Sequence, residues 1–331
     1  MIVHFLIVIV PMVFLWYISF SDYDLGKGWD QRHFAGLSNF VMLLSGEDHD
    51  FWPAVLTTLI FLASTVTLEF IVGLGVAMLF HRKIAGKAVW MAFLIIPLTI
   101  TPAVIGLMWK LMYNTEYGVL NFLLDFINVK INWLGPQSAL LSIILVDIWQ
   151  WAPFVALMLY AGLQAISTEP YESAVVDGAS SMQIFRYITL PLLKPMIIVA
   201  LLLRSIDALR IFDTVYVLTK GGPGNITEIL SLHVYRVGFE HTGWIGRSSS
   251  VAIVLLILAS VITTIFMRVV NATRPAAVTN RIEGSGGVGN AASHESPRAR
   301  FGFSLARSSV HWSLGPLVLW SVPGLFSISA F

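Results

Sequence analysis

An all-α, polytopic membrane protein with six transmembrane helices is the fold class this sequence predicts, and three observations predict it. Of 331 residues, 56% are hydrophobic and only 12% charged, where a soluble domain carries about a quarter charged residues. The apolar residues gather in runs long enough to cross a hydrocarbon core of about 30 Å, which takes roughly 20 helical residues. Polar loops of opposite charge bias separate these runs. Inside lipid every backbone N–H and C=O must be satisfied within the segment, so runs of this length are helices.

The first run, MIVHFLIVIVPMVFLWYISF at 1–20, has neither a basic leader nor a small-residue cleavage site, and reads as a retained anchor. The other spans are expected at 53–80, 88–113, 137–163, 195–218 and 249–271. Loop 81–87 holds Arg82, Lys83 and Lys87 with no acid, whereas the stretch 21–50 holds six acids against Lys27 and Arg32. Lys and Arg concentrate on the cytoplasmic side, so 81–87 is expected in the cytoplasm and 21–52 outside, with the N-terminus cytoplasmic. Counting spans places 169–193 and everything after Val270 in the cytoplasm, in agreement with Arg268, Arg274 and Arg281. Lys110, after Trp109 near the outer end of the third span, can snorkel to the interface.

The chain is accordingly divided into the first span and outer loop (1–52), a core with five spans (53–272), a flexible linker (273–308) and an apolar tail (309–331). The linker is rich in Gly, Ser and Ala. Its Gly284, Gly286 and Gly289 have a GxGxxG spacing, but without a preceding strand and a following helix this is a chance match. The tail carries Pro316 and Pro323 and no stop-transfer charge; a weak seventh span, an interfacial segment and an unstructured tail all remain open for it.

Composition also excludes chemistry. With no cysteine there is no disulfide, zinc–thiolate site or thiol nucleophile. A dispersed net charge of +1 gives no stripe for nucleic acid. The eight His and the acids show no metal-ligand spacing such as HExxH, so no metal site and no membrane-embedded metalloenzyme is expected.

One polar stretch, EPYESAVVDGASSMQIFRYITLPLLKP at 169–195, lies between two spans. Pro170 with Glu169 and Glu172 suits a helix start, where a fixed φ and negative charge are favourable. Asp177-Gly178 interrupts the helix, since Gly accepts the left-handed conformation of a sharp turn. A second amphipathic run follows, with Met182, Phe185 and Ile188 on one side, and Leu190-Pro191 is expected to end it. The result is a helix-turn-helix along the cytoplasmic face with apolar residues left over for a partner.

The spacing ESAVVDGA, eight residues, ITLP resembles the EAA loop of binding-protein-dependent ABC importer permeases, with Ser173 where that family has its first Ala. NTEYGVLN, LYAGLQAISTEPYESA, RIFDTVYVLTKGGPGNITEIL and VYRVGF resemble the sugar-type branch in the right order, over nearly all of 1–272. The resemblance implies a type I permease fold in a bacterial or archaeal cytoplasmic (inner) membrane. It implies a permease for a sugar, oligosaccharide or polyol that is not itself an enzyme. Glu172, Ala174, Asp177, Gly178, Ala179, Ile188, Leu190 and Pro191 would form the loop that docks into a groove of the ATPase, with Glu172 as acidic contact or helix-start stabiliser and Gly178 as the turn. The implied partners are an ABC ATPase dimer, a second homologous permease and a periplasmic or lipid-anchored substrate-binding protein, all within membrane lipid. No cofactor is expected on the chain: it has no G-x-x-x-x-G-K-[ST] phosphate loop, so ATP would be bound by the partner.

Ionisable groups within spans mark cavities or interhelical pairs. Asp147, beside Gln150 and Trp151, suits a polyol whose hydroxyls meet carboxylate and amide while its apolar faces lie on rings; a structural pair or an aromatic belt is the competing reading. Arg204, Asp207, Arg210 and Asp213 are three residues apart and would pair along one helix as a structural or gating ladder, with direct substrate contact by Asp207 or Arg210 as the alternative. Glu69 reads as a helix-packing hydrogen bond. The rival function class is an ion- or proton-coupled secondary transporter with Asp147 or Glu69 as coupling acid.

Overall fold

The computed structural model describes residues 2–82, 84–241 and 243–272; the expected linker, its glycines and the apolar tail lie outside the described residues. Helix α1 (Ile2–Ser19) leads into a two-stranded antiparallel ribbon, β1 (Ser21–Asp22) and β2 (His33–Phe34), in the register Ser21↔Phe34. Then come α2 (Ser38–Ser45), α3 (Phe51–His81), α4 (Lys87–Thr99), α5 (Pro102–Met112) and α6 (Val119–Leu124). Next are α7 (Ala139–Ala165), α8 (Glu169–Val176), α9 (Ser181–Ile184) and α10 (Leu190–Ala208). The last elements are α11 (Asp213–Thr219), α12 (Leu230–Tyr235) and α13 (Ile245–Ala272). From Val13 onward the described residues form one unit.

The architecture is all-α and polytopic, as the hydropathy pattern requires. Among the described residues, α3, α7, the run Ser181–Ala208 and α13 are each long and apolar enough to cross a bilayer; α4 with α5 forms a bent pair, and α1 is a shorter apolar helix. Of the apolar stretch of α7, 56% is buried, against 17% of that of α13, so α7 is the central helix and α13 a peripheral one. Small residues let the helices approach where no hydrophobic effect drives them together. A Cβ on Gly73 of α3 would lie 2.8 Å from Val155 of α7, and one on Gly162 of α7 would lie 2.8 Å from Leu193 of α10.

Two expected spans differ from the observed elements. The third, expected as one helix over 88–113, breaks at Ile100–Thr101 and bends by 98°. Thr101 precedes Pro102 and is extended (φ −65°, ψ 142°), because the proline ring disfavours the helical conformation of its predecessor. The fifth, expected over 195–218, is helical only to Ala208, and the chain resumes as α11 at Asp213. Arg210 and Asp213 therefore stand outside α10, so the expected four-residue ladder is cut after Arg204 and Asp207.

At its other end that span starts early. Pro191 does not end the second helix of the polar stretch: α9 passes through a π-helical stretch, Phe185–Thr189, directly into α10. Leu190 N–H bonds the carbonyl of Phe185, five residues back. This wider turn shifts the carbonyl ladder where Pro191 has no N–H to offer and its ring would otherwise clash.

Candidate functional site

The polar stretch after α7 is built from two matched caps. Pro170 occupies the first turn of α8, with Glu169 and Glu172 in the same turn. At its far end Gly178 has φ 74°, Gly178 N–H bonds Val175 O at 3.1 Å and Ala179 N–H bonds Ala174 O at 2.9 Å. These paired bonds are the Schellman ending of a helix, which requires a left-handed residue at the Gly178 position. Ser180 then opens α9 with a capping box: Gln183 N–H donates to Ser180 Oγ at 3.4 Å and Ser180 N–H to Gln183 Oε1 at 2.7 Å. The S-x-x-Q spacing that marks this box is present in the sequence.

The turn opens a cleft of about 320 Å³ lined by Asp177, Gly178, Ala179, Gln183, Ile184, Tyr187 and Ile188. Ala174 is buried and pins α8, Glu172 and Asp177 are exposed, Leu190 is half-buried and Pro191 exposed. Val176 is 87% and Met182 70% exposed, so the loop presents apolar side chains with no cover from this chain.

A second group of candidates meets between the spans. Arg204 of α10 is 1% exposed. Its Nε donates to Glu69 Oε2 at 2.6 Å and its Nη2 to Glu69 Oε1 at 2.7 Å, a two-pronged bond to α3. The same Nη2 donates to Asp147 Oδ2 of α7 at 2.9 Å, and Nη1 to Asp207 Oδ2 at 2.6 Å. The Trp151 ring lies 4.9 Å from the Arg204 guanidinium. One cation thus joins three helices through three carboxylates, in the planar fork geometry that only arginine supplies. Asp147 and Glu69 are buried in this cluster, whereas the Asp207 side chain is 50% exposed and Arg210 is exposed beyond the helix end. Gln150, also buried, turns its Nε2 to the carbonyl of Ile100 at 3.5 Å, in the break between α4 and α5.

Two aromatic groups assemble from residues that the sequence does not link as groups. Trp149, Trp109, Tyr113 and Trp133 run ring to ring at 5.3–5.5 Å. Phe212, Tyr216, Tyr235 and Phe239 form the other at 5.2–5.7 Å. Their members come from different helices and loops, so no local spacing announces them.

The stretch 48–50 and the stretch 225–236 are tied by a closed ring of polar contacts. His233 Nδ1 lies 2.7 Å from Glu228 Oε1 and Nε2 3.2 Å from Asp48 Oδ2. Arg236 bonds Glu228 and, at 2.7 Å, Asn225 Oδ1; Asn225 Nδ2 donates to Asp50 Oδ1 at 3.0 Å; Asp50 N–H donates to Asp48 Oδ1 at 3.1 Å. Burial raises the Asp48 pKa, but the hydrogen bond and charge of His233 and the backbone amides outweigh it, and the net shift is downward. A lowered folded pKa contributes stability above the unfolded value that is lost as pH falls through the folded one. The melting temperature of Asp48→Asn in detergent should therefore lie below that of the parent at neutral pH, with the gap closing below about pH 4. A gap that persists undiminished in acid contradicts this ring as its cause.

Comparison with known proteins places these features in context. The family described as binding-protein-dependent transport system inner membrane component matches residues 69–275. The trehalose/maltose transport system permease protein MalF of Thermococcus litoralis is 41% identical over 241 residues, covering 72% of this chain and 80% of that protein. The sulfoquinovosyl glycerol transport system permease protein SmoG of Agrobacterium fabrum is 35% identical over 269 residues, covering 80% and 85%. Among solved structures, a bacterial ABC transporter involved in the import of the acidic polysaccharide alginate has a chain of the same fold, with a TM-score of 0.70 at 24% identity over 82% of this chain and 92% of that one.

Proposed function

Since this chain belongs to the family of binding-protein-dependent transport system inner membrane components, we propose that it is the membrane-spanning permease subunit of an ATP-driven importer for a carbohydrate. It is a multi-pass protein of the inner membrane and translocates its substrate without altering it. The observation that carries the coupling half of this reading is the Schellman turn at Gly178, which fixes two short helices at a set angle and leaves Val176 and Met182 uncovered. Such a surface fits a groove on an ATPase, and the family's substrate-binding protein delivers the solute on the opposite face.

The finer assignments follow from chemistry. ATP is bound and hydrolysed by a separate ATPase dimer, and a second homologous permease completes the pathway. The orientation is N-terminus cytoplasmic, supported by the basic loop 81–87 and the acidic stretch 21–50. For the substrate path, Asp207 and Arg210 are exposed where α10 ends, and Phe212 of the second aromatic group follows Arg210 by two residues. Sugar hydroxyls pair with such charges while their apolar faces stack on rings. Asp147 and Gln150 act behind them, spending their polar atoms on Arg204 and on the open carbonyl of Ile100. A secondary transporter would need an acid free to exchange its proton with solvent, whereas Glu69 and Asp147 are both buried on Arg204.

The test is uptake of radiolabelled trehalose and maltose by proteoliposomes holding the complete complex with its ATPase, second permease and binding protein. Uptake should require ATP and survive collapse of the proton gradient; accumulation driven by the gradient without ATP would overturn the reading. In the same vesicles the cysteine-free chain reports its own orientation. Ser45→Cys should react with an impermeant thiol reagent on the binding-protein side, and Ser181→Cys only on the ATPase side.

A further inference from the structure

The run Ser181–Ala208 is one helical rod of 28 residues, roughly 40 Å long at about 1.5 Å per residue. It starts three residues after the Gly178 turn and carries Arg204 one turn before its other end. There the guanidinium grips Glu69 of α3 with two prongs and Asp147 of α7 with a shared one. Beyond Ala208 the helix stops, and α11 belongs mechanically to α5: Lys110 Nζ bonds Val217 O at 3.0 Å, and a Cβ on Gly106 would lie 3.0 Å from that of Val217. A push on the rod therefore leaves it sideways, through Arg204 into α3 and α7, and does not run on along the chain.

Elsewhere the rod meets its neighbours largely through apolar packing, as at Gly162 with Leu193 and Met196. In lipid such contacts hold helices together by close packing, with no directional bond between them. A two-pronged arginine–carboxylate bond adds a directional tie. We propose that Arg204 is a positioning residue of the transport cycle: the Arg204–Glu69–Asp147 clamp converts displacement of the coupling loop into joint movement of α3 and α7. This rests on the reading of 169–191 as the ATPase-docking loop, and adds the point at which the motion is handed to the rest of the bundle.

The experiment uses the complete complex in proteoliposomes and reads sugar moved per ATP hydrolysed, together with complex yield and melting temperature. Glu69→Gln keeps the shape but not the charge, and Arg204→Lys keeps the charge but not the fork. Each is expected to assemble and hydrolyse ATP at rates near the parent's while the sugar-to-ATP ratio falls about tenfold, the scale of losing a charge-assisted bond. The proposal is overturned by an unchanged ratio in both single variants. It is equally overturned if yield, ATP hydrolysis and transport decline in step. Gly178→Val, run in parallel, reports on docking alone: a normal ratio and normal ATPase retention there sink the docking reading, whatever Glu69→Gln does.

Discussion

Gly178→Val is expected to cut ATP-driven uptake at least tenfold and to reduce retention of the ATPase, while the chain still inserts. The residue holds φ 74° and the Schellman bonds depend on that angle. A left-handed backbone costs an L-residue about 1–2 kcal/mol, and more for a β-branched one, whose second γ substituent crowds the backbone. That strain can be relieved by swinging α9 relative to α8, which alters the angle between the two helices that a rigid groove must receive. A Cβ at Gly178 would meet nothing within 4 Å, so the effect is one of backbone conformation and not of collision. Uptake should accordingly fall in the order Gly178, Asn, Ala, Val, because Asn tolerates the left-handed region best among the three replacements. If Ala and Val leave uptake equal to the parent's, the turn is not what the partner reads.

Arg204→Leu should be strongly destabilising. It leaves the Glu69 and Asp147 carboxylates buried with their cation gone, and breaking a buried pair from one side costs about 3–5 kcal/mol. Trp151 also loses the guanidinium 4.9 Å from its ring. Complex yield and melting temperature in detergent should both drop sharply. Replacing all the buried charged partners with apolar residues of similar size, as Glu69→Leu, Asp147→Leu and Arg204→Met together, should recover much of that stability, because no uncompensated charge remains. Transport per ATP should not return with it if the clamp hands on motion. An Arg204→Leu chain as stable as the parent would show that the cluster does not hold α3, α7 and α10 together.

Much of this molecule was legible without coordinates. Hydropathy is a property of consecutive residues, so the spans could be located to within a few positions wherever the helix was straight: α3 at Phe51–His81 against 53–80, α7 at Ala139–Ala165 against 137–163. The turn at Gly178 was equally local, since Pro170, Asp177 and Gly178 carry their conformational preferences with them. The breaks before Pro102 and after Ala208 were obscured because apolar composition continues across them. A lipid-facing average registers burial in the membrane, not the path of the axis.

The chain by itself determined its membrane solvent, the approximate place of its straight spans and the left-handed turn at Gly178, because each depends on residues within a few positions of one another. Only the tertiary structure decided what the intramembrane charges do. Arg204 reaches Glu69 across 135 residues and Asp147 across 57. Read along the sequence, Arg204 belonged to a ladder with Asp207, Arg210 and Asp213; in space the helix ends after the first pair, and the guanidinium turns to α3 and α7. Its partners are set by the depth and rotation of three separate helices, and those follow from close approaches such as Gly73 to Val155 and Gly162 to Leu193. A buried charge must find a counter-charge somewhere in the protein, but which one it finds is fixed by helix packing, a property of pairs of surfaces and of no single stretch of chain.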